Sequence, residues 1–251
     1  MSLANQLLTS MSEEDFALIA PHLKPVDCPL HYLIAEPARA IRYVYFLESG
    51  IGSIVVTTPE GLRAEVGLFG REGFSPTDVL VSDQTPYTIL MQGAGEGNRI
   101  ALSAFHQVIG ESRTLQSLLA RYANALSIQT AYTAVSNAAH HLEVRLARWL
   151  LMCHDRIDGY EMALTHEFLA VMLAVRRPSV TTALHVFEGN GLIRAERGLI
   201  TICDRAALEV LARDAYGKPE EEYRRLLGTP LCASPNRPAL SALDSAPPLN
   251  N

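Results

Sequence analysis

A chain of 251 residues is long enough for two domains of ordinary size, and with 48% hydrophobic and 19% charged residues its composition excludes a disordered polymer. A formal net charge of −6 speaks against a protein that coats nucleic acid regardless of sequence, while permitting a local basic surface on an acidic body. No apolar run approaches the ~20 residues that cross a bilayer, and the opening MSLANQLLTSMSEEDF lacks a basic segment followed by an apolar one, so a cytoplasmic location with no membrane partner is expected.

Residues 5–23 read as a short helical region. Leu7, Leu8, Phe16, Leu18, Ile19 and Leu23 are its apolar positions, and Ser12 followed by Asp15 offers an N-cap with an acidic first turn. From 25 to about 102 the texture changes to short β-rich runs separated by turn signals: 43–46, 51–58, 63–69, 87–91 and 98–102. Many short strands at this spacing predict a sandwich or barrel. Residues 104–137 contain no proline and read as one long helix. Leu115, Leu118, Tyr122, Ala125, Gln129 and Tyr132 step along it by three or four residues as a coiled-coil-like seam. Residues 137–140 read as a hinge and 142–154 as another amphipathic helix.

The segment 164–202, LTHEFLAVMLAVRRPSVTTALHVFEGNGLIRAERGLITI, carries the most information. Thr165 can cap a helix, Ala174-Val175 makes a tight turn, and a second helix starts at Arg177-Pro178, with Val180, Leu184 and Phe187 facing inward. Gly189 and Gly191 end it, and a hairpin follows with its turn at Arg197-Gly198. Helix, tight turn, helix and hairpin make a winged helix-turn-helix. The second helix can enter the major groove, where Arg176, Arg177, Ser179 and Thr182 reach bases or phosphates. Thr165 sits at a helix start facing the DNA backbone, and Arg194 and Arg197 belong to the wing. Arg176, Arg177, Arg194, Arg197 and Arg205 stand against Glu188, Glu196 and Asp204, a modest local positive excess.

From about Leu7 to Tyr216 the sequence resembles the Crp/Fnr family of bacterial regulators, most specifically in LTHEFLAVMLAVRRPSVTTAL, GLIRAERGLITICDR and LEVRLARWLL, with IRYVYFLESGIGSIV similar to a cyclic-nucleotide-binding-like jelly roll. The resemblance implies an α+β chain organised as a jelly-roll sensor domain with an N-terminal helix (1–103), a dimerisation helix (104–137) and a winged helix-turn-helix (138–216). It implies a homodimer on a pseudo-palindromic site in double-stranded DNA, and it leaves RNA polymerase open as a further partner. From Gly217 onward the composition is polar and proline-rich, ending in SPNRPALSALDSAPPLNN, and a disordered tail (217–251) is expected.

Departures bear on the effector. Members that bind cyclic nucleotides carry a Gly-Glu element followed by an arginine element for the phosphate; here Gly70-Arg71-Glu72-Gly73 echoes the first, but Thr85-Pro86-Tyr87 stands where the arginine is expected, so a cyclic nucleotide is not expected. Cys28, Cys153, Cys203 and Cys232 are scattered, without the clustering an iron–sulfur cluster or zinc requires. Haem needs one histidine and stays open, although His22, His31, His106, His140 and His141 have no distinguishing context. An effector pocket between barrel and long helix would be lined by Glu72, Tyr122 and Asn124. Pro178 replaces the glutamate that follows the arginine in other members, so base preference does not carry over. With the acidic net charge, it keeps a second reading in play, a small-molecule sensor or interaction module that has lost DNA binding. No nucleophile elbow, phosphate loop or zinc-hydrolase motif frames any Ser, His or Cys, so no enzyme is expected.

Overall fold

The computed structural model describes residues 3–231. It opens with α1 (Gln6–Thr9) and α2 (Glu13–Ile19), separated at Ser12, whose hydroxyl accepts the Asp15 N–H as expected. Seven strands follow: β1 (Lys24–Cys28), β2 (Leu33–Ala35), β3 (Tyr43–Leu47), β4 (Ile51–Thr57), β5 (Arg63–Phe69), β6 (Thr88–Gly93) and β7 (Gly95–Ala101). They pair antiparallel in two sheets, β1-β7-β3 and β2-β6-β4-β5, and most of their apolar side chains join one core. The sequence left β1 and β2 unassigned. β1 is an edge strand with Pro25 in it and mostly exposed residues, which is where a strand tolerates proline and loses its alternation. Gly50 turns the chain between β3 and β4 at φ +83°, and a Cβ there would stand 2.8 Å from the Gly93 carbonyl oxygen.

The long helix expected over 104–137 is two helices, α3 (Leu102–Glu111) and α4 (Arg113–Ala139). Ser112 breaks it: its backbone is extended, and its hydroxyl accepts the Leu115 N–H and donates to Asp15 of α2. A second correction concerns the seam. Leu115, Leu118, Tyr122, Ala125 and Gln129 are buried within the chain itself, and Tyr132 is half-buried. Gln129 clamps the β5 backbone, accepting the Leu68 N–H at 2.8 Å and donating to the Leu68 carbonyl at 3.2 Å. Tyr122 lies so close over Gly73 that a Cβ there would meet its ring at 1.8 Å. Spacing by three and four identifies a buried face without naming what covers it; here the cover is the chain's own barrel.

Beyond α4, His140 is extended, so the helix ends where a hinge was expected. α5 (Leu142–His154) leads to β8 (Glu161–Met162), α6 (His166–Met172), α7 (Arg177–Gly189), β9 (Ile193–Glu196), β10 (Leu199–Ile202), α8 (Arg205–Ala212) and α9 (Lys218–Leu227). β8 adds a third strand to the wing, in the order β8-β10-β9. This half does not hang free: Leu146, Trp149, Leu150 and Met172 share one apolar core with Ile51, Val55 and Leu68 of the barrel.

α9 corrects the expectation of a tail from 217. Pro219 in the first turn, Glu220 and Glu221 beside it, Arg224 and Arg225 in the last turn and Gly228 at φ +79° after it are helix signals at both ends. Its one aromatic anchor, Tyr223, is buried in the core shared by the barrel and α4, and α9 packs along α4. Leu231 joins the same core. The proline-rich residues 232–251, with Cys232, lie outside the described residues. Among the described residues no helix is long and apolar enough to cross a membrane, and no group of three or more His, Cys, Asp and Glu could hold a metal ion.

Candidate nucleic-acid interface

Thr165 caps α6, its hydroxyl accepting the Phe168 N–H at 3.2 Å. The turn to α7 passes through Ala174 at φ +51°, a conformation a Cβ resists by about 1 kcal/mol, at the position where the resemblance leads one to expect glycine. Arg176 is the N-cap, so Pro178 is the second rather than the first residue of α7, still within the turn where a missing N–H costs little. Val180, Ala183, Leu184 and Phe187 are buried, which turns Arg176, Arg177, Ser179, Thr182 and His185 to solvent. The Thr182 hydroxyl donates to the Pro178 carbonyl at 3.1 Å and keeps its lone pairs outward.

The predicted residues do not all stand alike. Arg176, Arg177 and Arg197 make no ion pair among the described residues and are exposed. Arg194 pairs with Glu196 across 3.2 Å in the open, a contact of at most about 1 kcal/mol that an anion can displace. Thr165 lines a cleft with His31 and Arg63 of the barrel. Arg205 drops out of the basic surface: its guanidinium turns inward onto Asp155 at 2.8 Å and the Tyr216 hydroxyl. His166, beside Thr181, has its pKa lowered, first by burial and then by Arg177 and His185, so it favours the neutral form. Sequence reasoning missed His185, whose place on the outward face of α7 three residues beyond Thr182 was readable from helical spacing.

It also missed the polar seam that ties this half to the barrel. Glu65 of β5 accepts a hydrogen bond from Trp149 Nε1 at 2.7 Å, and its Oε2 shares a 2.5 Å hydrogen bond with the Ser53 hydroxyl, in full burial. Burial pushes its carboxyl up to about 8, with Ser53, Trp149, Arg148 and Arg156 pulling the other way too weakly to offset it. The neutral acid suits the site: Oε1 accepts from Trp149, a protonated Oε2 donates to Ser53, and the Ser53 hydroxyl can then donate to Met172 Sδ at 3.4 Å. A folded-state pKa of about 8, against an ordinary 4.5, gives a stabilising contribution that is complete below pH 4.5 and lost as pH rises through 8. The urea midpoint, followed by the fluorescence of the single tryptophan, is therefore expected to fall across that window, and Glu65→Gln is expected to flatten the fall. Parallel pH profiles for the two proteins would rule out this role for Glu65.

The expected effector pocket is closed. Glu72 receives the Arg156 guanidinium Nε at 2.8 Å, with the two side chains 2% and 1% exposed. Arg156 also donates to the Met152 carbonyl at 2.7 Å, and Tyr223 of α9 donates to the Glu72 carbonyl at 2.8 Å. Glu72 and Tyr122 do line a common space with Arg156 and Tyr223, but it measures only about 10 Å³, room for a single water. Asn124 is exposed and does not line it. These residues do not fit a cyclic nucleotide: the carboxylate is engaged by the chain's own arginine and the volume is filled.

Residues 144–211 match the Crp-like helix-turn-helix domain family. Among solved structures, the chain is similar to a CRP-family transcriptional regulator from Thermus thermophilus (21% identity, covering 75% of this chain and 96% of that one, TM-score 0.61). It is also similar to FixK2 from Bradyrhizobium japonicum (14% identity, 77% and 99% covered, TM-score 0.64). A third likeness is to a c-di-GMP responsive global regulator from Xanthomonas campestris (16% identity, 77% and 100% covered, TM-score 0.62). No curated protein matches by sequence.

Proposed function

We propose that this chain, with a Crp-like helix-turn-helix domain over residues 144–211 and a fold similar to that of CRP-family regulators, binds double-stranded DNA as a homodimer in the cytoplasm and controls transcription. The observation that carries this reading is the N-cap and first two turns of α7, where Arg176, Arg177, Ser179 and Thr182 face solvent over a fully buried inner face. Arg176 and Arg177 act in the major groove, and Arg194 and Arg197 meet the backbone beside it. Thr165 reaches phosphate once the cleft against the barrel admits a duplex. The purified chain, challenged with random-sequence duplexes, is expected to enrich a two-fold symmetric site with half-sites about one helical turn apart and to lose affinity steeply as salt rises. A folded protein that enriches no sequence would end this reading.

The partner subunit docks on the side of α4 turned away from the barrel. There Ala120, Asn124, Ala131 and Val135 recur at helical spacing and are exposed, Val135 at 57%. They replace the seam residues that the barrel covers. Val135→Glu places a charge on the most exposed apolar residue of that face, at its carboxyl end, and is expected to turn the dimer into a monomer in light scattering at micromolar protein. An unchanged mass would move the interface elsewhere.

The effector reading follows from the closed site. In the described state the DNA-binding half supplies Arg156 to the carboxylate that a ligand would otherwise meet, so the chain needs no nucleotide there to hold its halves together.

A further inference from the structure

A cavity of about 500 Å³ opens in the barrel between β2, β3, β7 and the loop 36–42, and no residue lines both it and the filled space at Glu72. Its wall combines phenols and guanidinium groups. Tyr45 and Arg99 are register partners on β3 and β7, so their side chains leave the sheet on one face. The Tyr32 and Tyr45 hydroxyls are 3.3 Å apart, with their rings edge to face. The Arg99 guanidinium lies over the Tyr43 ring, 4.4 Å from its centroid.

The Arg99 guanidinium also interacts with the Tyr45 hydroxyl, but two features show that it has no carboxylate partner of its own. Arg99 Nε is buried without a hydrogen-bond partner, a donor that a folded chain seldom leaves unmet. Of the three arginines on the wall, Arg39 pairs with Glu36 at 2.7 Å, whereas Arg42 and Arg99 have no ion pair among the described residues. The rest of the lining is apolar, with Ile34, Ala35 and Ile41. An open cavity of this size, lined by aromatic and aliphatic walls with a few converging donors, is suited to a small organic molecule. The donors are all cationic or phenolic, so the polar end of that molecule is an anion; the aromatic wall favours a flat, unsaturated body.

We propose that this cavity binds a small aromatic carboxylate, with the carboxylate forked onto Arg99, assisted by Arg42 and the Tyr45 hydroxyl, and the ring against Tyr32 and Tyr43. This goes beyond the DNA-binding reading and is independent of it, because the measurement reads ligand binding alone.

The test is calorimetric titration of the full chain with benzoate, salicylate and indole-3-acetate, alongside benzamide, which keeps the ring without the charge, and inorganic phosphate, which keeps the charge without the ring. At least one carboxylate is expected to bind once per chain with a Kd below about 1 mM, benzamide to give no saturable heat, and phosphate to bind about tenfold more weakly or not at all. Arg99→Gln is expected to weaken the carboxylate by about tenfold or more and Arg99→Lys to restore part of it, since lysine returns the charge without the fork. Arg42→Gln, at the exposed rim, gives a smaller loss in a variant whose folding is not in question. No binding by any of the three carboxylates, phosphate binding as tight as theirs, or undiminished binding by both glutamine variants overturns the proposal.

Discussion

Replacing Arg156 by methionine is expected to lower the unfolding free energy by about 3–5 kcal/mol, a large part of the 5–15 kcal/mol that holds a typical domain together. The magnitude comes from what is left behind. Glu72 is 2% exposed, its Oε1 is held by Arg156, and its Oε2 has no hydrogen-bond partner, so removing the guanidinium strands a carboxylate away from water. The double variant Arg156→Met with Glu72→Leu removes both charges and should recover most of the loss, because two apolar side chains there cost less than one unpaired ion. The neighbouring Arg71–Asp158 fork offers the contrast: Asp158 is 81% exposed although Arg71 is 9% exposed, so its loss opens the Arg71 guanidinium to water and Asp158→Ala should cost clearly less than Arg156→Met, on the order of 1 kcal/mol. Denaturant curves for the four proteins give the comparison. A single Arg156→Met variant as stable as the parent would mean that the pair is not sealed from solvent.

Arg176→Ala and Arg177→Ala are each expected to weaken specific DNA binding by about 1–3 kcal/mol, roughly 5- to 150-fold. The two should differ in kind. Arg177 is the first residue of α7 and Arg176 caps it, so the one that forks onto a guanine loses discrimination at a single base pair. The one that meets phosphate loses affinity on every sequence and reduces the slope of log affinity against log salt by about one. Among the described residues neither side chain carries an ion pair to disrupt, and both are exposed, so stability should stay within about 0.5 kcal/mol of the parent. Binding isotherms on the selected site and its point variants, at several salt concentrations, separate the roles. If both alanine variants bind every sequence as the parent does, α7 is not the reading helix.

Local rules carried well over residues 164–202. The Thr165 cap, the turn at Ala174, the start of α7 and the hairpin at Gly198 all follow from nearest-neighbour chemistry, which a linear sequence displays. Ser12 is legible for the same reason. What pairs across distance is not. The residues from Leu115 to Gln129 advertise a buried face, yet whether a partner subunit or the chain's own barrel covers it depends on tertiary packing. Glu65 sits in an ordinary alternating strand, and only the approach of Trp149 from far along the sequence makes it a buried acid. Arg148 and Arg156 carry a weak signal, charge within or just after an apolar helix, which would have marked them as groups needing internal partners. α9 shows the reverse failure: its capping and end charges were readable, but a composition rich in charge and proline suggested solvent.

Leu7, Tyr223 and Leu231 belong to one core, and Tyr223 and Leu231 also meet Gln6 through hydrogen bonds. During synthesis the amino-terminal half therefore waits, unfinished, for α9 to leave the ribosome. Its last aromatic anchor arrives more than two hundred residues after its first helix, so premature termination anywhere before α9 releases a chain whose earliest-made domain lacks part of its interior, even though that domain's own stretch of message was read in full.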